Sequence, residues 1–502
     1  PWDQRTTEIE PSGNYTFTHE RNDHNIGSDH GFGYGITFDI EKFPYLTAEL
    51  GGGLQVTGHR RTIATAKDIA AVALTKLGSG CNLLGFYMYT GGTNPEGKLS
   101  TLQESKATGY LNDLPVKSYD FRAPVREFGQ VSEMLRELKL LAYFAADFGE
   151  DLCELKAEIP VEVKPDDLVS LRYSYRTDGE KGYFFVNNYV RHQKLAEHTK
   201  VVLSSPDGKT ALPAFDVKNG DFFFVPFNMK FGNSLVKKAT VTPFTKIGGG
   251  EKEVFVFYAR EHETAKSSFL VLSREDALNA WKLGNRLVIT DSDSAVIELV
   301  EMTSNDKLNH HGEIVTRSNG SVFVYPDFEK IPTGWKKTGE VNKNRAGDLN
   351  PVLFSEYVRE IPESEGKNGE LEAKNEGGIY KIDLSALSKT LRGAKTLSDI
   401  FVKIDYTGES ARLYAKKKGK RTLILDHFYL GEEYPWEIGL KRFVQSNADC
   451  ALSDDELSEL ELEITSLKKD AKTYIEKWPE ISGSEIATLK SVKFESEWNY
   501  KI

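Results

Sequence analysis

The sequence has little cysteine, no long apolar run and no excess of positive charge. Its three cysteines, Cys81, Cys153 and Cys450, lie far apart in a chain of 502 residues. Such an odd, scattered set indicates neither a disulfide framework nor a zinc site. It fits a reducing compartment, so the cytoplasm is expected. No apolar stretch approaches the roughly 20 residues that cross a membrane, so a membrane partner is not expected.

Acidic residues outnumber basic ones by 75 to 64, which gives a net charge of −11 at pH 7. A general nucleic-acid-binding protein would present a basic face, so nucleic acid is not an expected partner. The sequence also lacks a phosphate-binding loop, a dinucleotide fingerprint and a Ser-His-Asp arrangement, and we predict no cofactor and no metal.

Two short apolar runs that end in glycines set the pattern of the amino-terminal part. They cover residues 43–53 and 82–94, and residues 65–80 between them have helical spacing. The order strand, helix, strand predicts two neighbouring parallel strands of an α/β barrel. Gly85, inside the second strand, indicates a close approach of another backbone segment.

Glu49 lies where the first of these strands ends. In α/β barrels that face carries the chemistry, and a carboxylate there is costly to desolvate unless it has a function or a partner. The structural alternative is an ion pair with Arg60 or Arg61. Spacing alone leaves both interpretations open.

Two helices are predicted in the same part of the chain, at residues 65–77 and 129–147. The first begins with a capping box, Thr65-x-x-Asp68. The second has an apolar stripe that we expect in the core, formed by Val131, Leu135, Leu138, Ala142 and Ala145.

Beyond residue 149 the helical pattern gives way to short alternating runs, which predict antiparallel β-structure. The expected fold is therefore α/β followed by all-β. We predict an α/β domain at residues 1–150, β-rich accessory structure at 151–330 and a jelly-roll-like β-sandwich at 331–502. Residues 1–42 are predicted to be a long polar loop over the active-site face.

Four short strings resemble one family of glycosidases. They are Leu-Thr-Ala-Glu at 46–49, Phe-Tyr-Met-Tyr-Thr-Gly-Gly-Thr-Asn at 86–94, Ser-Tyr-Asp-Phe-Arg-Ala-Pro at 118–124 and Glu-Phe-Gly at 127–129. Their order and spacing resemble glycoside hydrolase family 35, the β-galactosidase family. The likeness is strong over the first 150 residues, and weaker similarity to accessory domains runs through 182–188 and 435–443.

The resemblance implies a retaining exo-glycosidase that removes terminal β-linked galactose, with Glu49 as the nucleophile. It also implies substrate contacts at Tyr87, Tyr89, Asn94 and Phe121. Retaining hydrolysis needs two carboxyl groups about 5 Å apart. A nucleophile that must stay ionised should lie among hydrogen-bond donors, and the hydroxyl of Tyr87 is the best candidate.

The second carboxyl group, the acid/base, is missing from the expected place. In the family it belongs to an Asn-Glu pair on an earlier strand, whereas the only such pair here is Asn375-Glu376, far downstream. We therefore expect this chain to hold only the last strands and helices of a (β/α)8 barrel. The expected partner is the missing amino-terminal segment, as a separate chain or a cleaved part, and a homodimer stays open. Glu127 is interpreted as a structural cap before the last helix.

Two departures from the family pattern bear on the substrate. Gly53 is followed by Leu54 where the family usually has tryptophan, and Phe121 replaces a tyrosine. A lost hydroxyl changes specificity, so another β-linked sugar such as a β-glucoside is the second hypothesis. The third is a noncatalytic carbohydrate-binding or structural fragment. Trp281 and Trp436, which could serve as sugar platforms, are expected in the core.

Overall fold

The computed structural model of the chain describes residues 13–19, 39, 42–95, 104, 109–110, 113–249, 253–261, 269–302, 308–344, 351–359, 368–385, 387, 396–417, 420–430, 434–444 and 457–501. The predicted loop over residues 1–42 lies mostly outside the described residues. Across the described ranges, the helices are too short or too polar to span a bilayer.

The amino-terminal part contains the two long helices of the structure and five short strands. A 3₁₀ turn covers Gly13–Tyr15, and the longer elements are β1 (Tyr45–Gly51), β2 (Arg60–Arg61), α1 (Ala66–Gly78), β3 (Cys81–Tyr87), β4 (Gly92–Thr93), β5 (Ser118–Tyr119) and α2 (Glu133–Cys153).

The middle part is built of strands with one short helix. Its elements are β6 (Lys156–Glu158), β7 (Tyr173–Thr177), β8 (Gly182–Asn187), β9 (His198–Val201), β10 (Phe215–Val217), β11 (Phe222–Phe231), β12 (Ser234–Lys238), β13 (Thr242–Ile247), β14 (Val254–Tyr258), β15 (Leu270–Leu272), α3 (Arg274–Leu278), β16 (Ala280–Leu283), β17 (Arg286–Ile289), β18 (Ser294–Met302), β19 (Leu308–Thr316), β20 (Val322–Tyr325), β21 (Trp335–Asn342) and β22 (Leu353–Arg359).

The carboxy-terminal part is also strand-rich. Its elements are β23 (Gly369–Glu370), β24 (Ala373–Glu376), β25 (Ile379–Asp383), β26 (Leu397–Thr407), β27 (Ser410–Lys417), β28 (Lys420–Phe428), β29 (Trp436–Gly439), α4 (Lys441–Val444), β30 (Glu459–Thr465), β31 (Leu467–Lys468), β32 (Tyr474–Ile475), β33 (Glu485–Ile486) and β34 (Thr488–Lys501).

The predicted strand–helix–strand unit is confirmed. Strands β1 and β3 pair in parallel, and α1 connects them. Thr65 caps α1 in the predicted capping box, because its side chain accepts from the N–H of Asp68 while the Asp68 carboxylate accepts from the N–H of Thr65. Within the described residues β1 and β3 form a separate two-stranded sheet, and the other strands of a (β/α)8 barrel are not seen.

The second helix buries only part of the predicted stripe. Leu138 is in the core, and Val131 and Leu135 pack against a neighbouring core cluster, but Ala142 and Ala145 are exposed. From Leu138 onward the buried stripe is formed by Leu138, Leu141, Phe144, Phe148 and Leu152. The larger side chains win the buried face because burying a leucine or phenylalanine removes far more apolar surface from water than burying an alanine.

Helices α1 and α2 share one hydrophobic core with strands beyond residue 150. That core joins Leu74 and Phe144 of the helices to Tyr183, Phe224 and Phe257 of the β-structure. Helix α2 itself runs through residue 150. The five-stranded sheet in the order β16–β17–β20–β22–β21 likewise takes strands from both sides of residue 330. The three expected segments are therefore packed on shared cores.

The carboxy-terminal part contains a β-sandwich, as predicted. One sheet has the order β18–β19–β34–β26–β29 with β23 beside β34, and the other has the order β24–β25–β30–β27–β28. Alternate residues of both sheets meet in a single core, including Ile400, Val402, Leu413 and Leu460. Trp281 is also buried as predicted, at 7% exposure.

Candidate active site

A bulge in β1 directs the side chain of Glu49. Thr47 is opposite Leu84 and Leu50 is opposite Phe86, so two residues of β1 face Gly85 alone. In a regular strand Glu49 would lie on the same face as Thr47. Because of the extra residue, Leu50 takes that face and packs against the helix core, and Glu49 lies on the opposite face. Glu49 therefore points away from the helices.

The bulge requires the close approach that Gly85 was predicted to mark. A Cβ atom on Gly85 would lie 2.1 Å from the carbonyl oxygen of Thr47. The Gly85 N–H also donates to the Thr47 hydroxyl oxygen at 2.9 Å. The irregular register is therefore fixed by a residue without a side chain.

Glu49 is exposed, and among the described residues it forms no hydrogen bond or ion pair. The two arginines that could have paired with it are engaged elsewhere. Arg61 donates to the carbonyl oxygens of Gly408 (2.9 Å) and Glu409, and Arg60 lies 4.2 Å from the ring centre of Tyr474. The structural alternative for Glu49, an ion pair with one of these arginines, is therefore not observed.

A hydrogen-bonded pair of tyrosines lies close to Glu49. The hydroxyls of Tyr87 and Tyr119 bond to each other. Burial and this bond raise the pKa of Tyr119, and the negative charges of Glu104 and Glu49 raise it further. The Tyr119 hydroxyl therefore keeps its proton at neutral pH, and it can donate a hydrogen bond to a carboxylate or a ligand oxygen.

Phe121 packs beneath the tyrosine pair. Its ring centre lies 4.6 Å from that of Tyr119 and 5.7 Å from that of Tyr87, and its side chain is 2% exposed. Tyr119 was not among the predicted site residues, although it lies in the same 118–124 string as Phe121. The sequence did contain a signal for Tyr119, because it lies only two positions before Phe121 in that string.

The backbone around this group is strained. Three residues with side chains adopt the left-handed conformation, namely Met88 (φ 60°), Phe121 (φ 52°) and Arg122 (φ 49°). Each such residue costs on the order of 1–3 kcal/mol, and such strain clusters at functional sites. The Phe121 N–H donates to the buried Gln55 side-chain oxygen at 2.8 Å, which helps to hold the turn.

Gly52 and Gly53 fit between these two strained turns. A Cβ atom on Gly53 would lie 2.3 Å from the carbonyl oxygen of Phe121. One on Gly52 would lie 2.6 Å from the carbonyl oxygen of Met88. The glycines after β1 therefore bring the end of the Glu49 strand against both the Tyr87 strand and the Phe121 turn.

The two remaining predicted substrate contacts have structural partners. The Asn94 side-chain amide donates to the carbonyl oxygen of Val116 at 2.9 Å, which ties two chain segments together. The Tyr89 ring packs on Phe86 at 5.5 Å and joins the helix core. Tyr87 and Phe121 pack against each other. The substrate contacts of Tyr87, Tyr89, Asn94 and Phe121 all stay predictions.

Glu127 joins the strands of the site and does not cap the last helix. Its buried carboxyl accepts hydrogen bonds from Ser118 (2.6 Å) and Thr93, which are paired residues of β5 and β4. The N-cap of α2 is Ser132, whose hydroxyl accepts from the N–H of Leu135. The interpretation of Glu127 as a cap is therefore wrong. Burial raises its pKa to about 7, against the lowering effect of the two hydroxyls.

Asp120, between Tyr119 and Phe121, stabilises the turn through its carboxylate. Its carboxylate forms an ion pair with Arg126 at 2.7 Å and accepts the N–H of Glu127 at 2.8 Å. It also accepts the N–H of Arg122 at 3.0 Å. This ion pair and these hydrogen bonds fix the turn that carries the aromatic residues.

The sandwich supports the site through a second set of contacts. Tyr429 donates to Asp113 at 2.8 Å, and Asp426 accepts the N–H groups of Val116 and Lys117 at 3.3 Å. Burial opposes the charged form of His427, but the hydrogen bond and charge of Asp426 outweigh it and raise the His427 pKa. The segment before β5 is thus anchored to the carboxy-terminal domain.

Metal chemistry finds no support in the described part of the chain, where no cluster of three or more histidine, cysteine or acidic side chains could hold an ion. Glu376, of the downstream Asn-Glu pair, forms an ion pair with Lys381 on the β24–β25 hairpin of the sandwich. It is therefore engaged within another domain.

Comparison with known proteins gives no further guide. No family model matches the chain, and no curated protein matches it. The function of the site must be inferred from its own residues.

Proposed function

We propose that Glu49 is the nucleophile of a retaining exo-glycosidase that cleaves terminal β-D-galactose residues. The observation that carries the proposal is the position of Glu49: an exposed carboxylate at a bulge, which forms no hydrogen bond or ion pair among the described residues and lies near the hydrogen-bonded hydroxyls of Tyr87 and Tyr119. The strings at 46–49, 86–94 and 118–124, which resemble the β-galactosidase family, lie together in the fold through the β1–β3 and β4–β5 pairings.

The residues around Glu49 are compatible with the retaining mechanism. In the retaining mechanism the ionised carboxylate attacks the anomeric carbon and forms a glycosyl ester, which water later hydrolyses. The hydroxyls of Tyr87 and Tyr119 are hydrogen-bond donors, and they lie near enough to Glu49 for its charge to act on Tyr119. The same hydroxyls can hold the ring oxygen or a hydroxyl of the sugar.

The proposal includes a second polypeptide segment that supplies the acid/base. One face of the β1–β3 pair is covered by the helices, while the other exposes Leu46 and Leu83, each at 52%. Parallel sheets are normally covered on both faces, and a two-stranded one leaves two open edges. Further parallel strands from outside this chain would cover that face, complete a (β/α)8 barrel and bring a second carboxyl group to Glu49.

A β-glucoside is the second candidate substrate. The observation that favours it is Phe121, which lies against both tyrosines but carries no hydroxyl. Where a hydroxyl is needed to recognise one sugar, its loss changes the ratio between related sugars.

Covalent labelling of the complete assembly tests the nucleophile. A 2-fluoro galactoside should add one sugar to the peptide that contains Glu49, because the fluorine slows the hydrolysis of the ester. Glu49→Gln should fold, lose turnover and lose the label, since a neutral amide cannot form the ester.

Glu127→Gln is the matched control, as it removes a buried carboxylate of the same region. That variant should still be labelled at Glu49. A label on another carboxylate, together with an active Glu49→Gln, would disprove the assignment.

A further inference from the structure

A second site lies in the β-rich part of the chain. A cleft of about 360 Å³ opens beside the β16–β17 turn and the loop of residues 327–333. Its far wall is formed by Glu298 and Gly312, which are directly paired residues of β18 and β19. The volume is in the range of small-molecule sites, which spans about 300–1,000 Å³.

The cleft depends on a close contact between two sheets. A Cβ atom on Gly312 would lie 2.1 Å from a methyl carbon of Leu283. The glycine therefore lets the end of β16 lie directly on β19. At the turn that follows, Gly284 adopts the left-handed conformation with φ of 54°. The wall of the cleft is thus set by backbone positions that other residues would disturb.

The loop that forms the opposite wall is held firmly. Asp327 accepts the Lys337 ammonium at 2.8 Å and the N–H of Phe328 at 2.8 Å, and the Tyr357 hydroxyl also donates to it. The Phe328 ring packs edge-on against Tyr357 at 5.3 Å. Phe328 is therefore a preorganised aromatic side chain, which binds a ligand at a small cost in conformational entropy.

Polar groups of both kinds surround this aromatic residue. The Arg286 guanidinium lies 5.4 Å from the Phe328 ring centre, and Lys330 and Glu298 complete the charged lining. Ile331, at 48% exposure, and Pro332 add apolar surface. Two cations and one anion leave a net charge of only +1, so the cleft offers hydrogen-bond donors and an acceptor without a strong field.

A sugar ring matches this lining. It has an apolar face of C–H groups that packs on aromatic and aliphatic side chains, and a rim of hydroxyls that both donate and accept. A phosphate or sulfate group would gain from the two cations but would face the carboxylate of Glu298. We propose that this cleft binds one ring of a neutral oligosaccharide. It would hold a carbohydrate chain at a place separate from Glu49, and it does not depend on the proposed catalytic function.

Direct binding to the full chain tests the cleft. The probes are β-1,4-galactotetraose and cellotetraose, measured by titration calorimetry and by saturation-transfer NMR. At least one should bind, and Phe328→Ala and Glu298→Gln should each weaken that binding about tenfold or more. Glu298 is exposed, so its change leaves the fold intact even if Phe328→Ala loosens the loop.

Two control variants locate the bound sugar. Trp478→Ala removes an exposed aromatic side chain (42%) outside the cleft, and Glu49→Gln changes the proposed catalytic carboxylate. Both should bind the sugar as the unchanged chain does. The proposal is overturned if neither sugar binds, or if binding survives both cleft substitutions. Loss of binding in Glu49→Gln alone would assign it to the catalytic site.

Discussion

The β1–β3 pair and the carboxy-terminal sandwich differ in how much of their apolar surface is buried. In the pair, Leu46 and Leu83 are each half exposed on the face away from the helices. In the sandwich, Ile400, Val402 and Leu460 are fully buried between two sheets. Burial stabilises by roughly 25 cal/mol per Å² of apolar surface. The two sheets of the sandwich are stabilised by burying apolar side chains against each other, whereas the β1–β3 pair is stabilised by burial on one face only.

The comparison shows where stability and proposed chemistry lie in this chain. Glu49, Tyr87 and the strained turn at Phe121 belong to the half-covered region, whereas the sandwich contributes anchors such as Tyr429 and Asp426. Functional groups that must meet a ligand cannot also be packed away. The account therefore predicts local weakness at β1–β3 and global stability in the sandwich.

Two glycine substitutions should separate the regions most strongly. In Gly408→Ala the new Cβ would lie 2.4 Å from Ile464 in the sandwich, and in Gly85→Ala it would lie 2.1 Å from the Thr47 oxygen. We expect Gly408→Ala to lower the free energy of unfolding by about 3–4 kcal/mol. Gly85→Ala should instead part β1 from β3 locally and leave the main thermal transition nearly unchanged.

Gly92→Ala is the control for both, because nothing lies within 4 Å of its added Cβ and its φ is ordinary. It should behave as the unchanged protein in calorimetry. A large fall in the main transition for Gly85→Ala would show that the pair belongs to the same cooperative unit as the sandwich.

Titration of Glu127 should sharpen the comparison through pH. Its pKa rises from 4.5 to about 7 on folding, so the folded state binds the extra proton between these values. The stabilisation is complete below pH 4.5 and is lost as the pH rises to 7, by up to about 3 kcal/mol. Glu127→Gln should flatten the unfolding free energy in that window.

Asp399 of the sandwich provides the matched case, since burial raises its pKa from 3.8 to about 6. In Asp399→Asn the free energy of unfolding should change less with pH between pH 3.8 and 6, while its decrease from pH 6 to 7 should remain. An unchanged slope in Glu127→Gln would mean that its carboxyl does not titrate in this range.

Phe121→Tyr should have the smallest effect, and it acts on specificity. If Phe121 faces the sugar, a restored hydroxyl should raise the ratio of galactoside to glucoside turnover in the complete assembly. The gain of one hydrogen bond is about 1 kcal/mol, or roughly fivefold. A changed melting temperature with an unchanged ratio would make Phe121 a packing residue, in line with its 2% exposure.

The local pattern of the sequence predicted much of the fold. The capping box at Thr65 and the close approach at Gly85 both reappear in the structure. These features depend on neighbouring residues, and their signal lies within a few positions of the chain.

Features that depend on distant contacts were harder to predict. The buried face of α2 was misjudged because the side chains that cover it, such as Tyr183 and Phe224, come from strands far along the chain. Glu127 was misread for the same reason, since its partners Thr93 and Ser118 meet it only through the β4–β5 pairing. The bulge at Glu49 has no clear local signal beyond Gly85 on the opposite strand.

Hydrogen–deuterium exchange of the 502-residue chain alone tests whether the β1–β3 pair is an incomplete sheet beside a self-sufficient sandwich. Amide protection reports the free energy of local opening. We expect amides of residues 45–51 and 81–87 to exchange at least about 100-fold faster than those of 397–407 and 488–501. Equal, slow exchange in both regions would contradict this expectation, because the pair would then need no further strands.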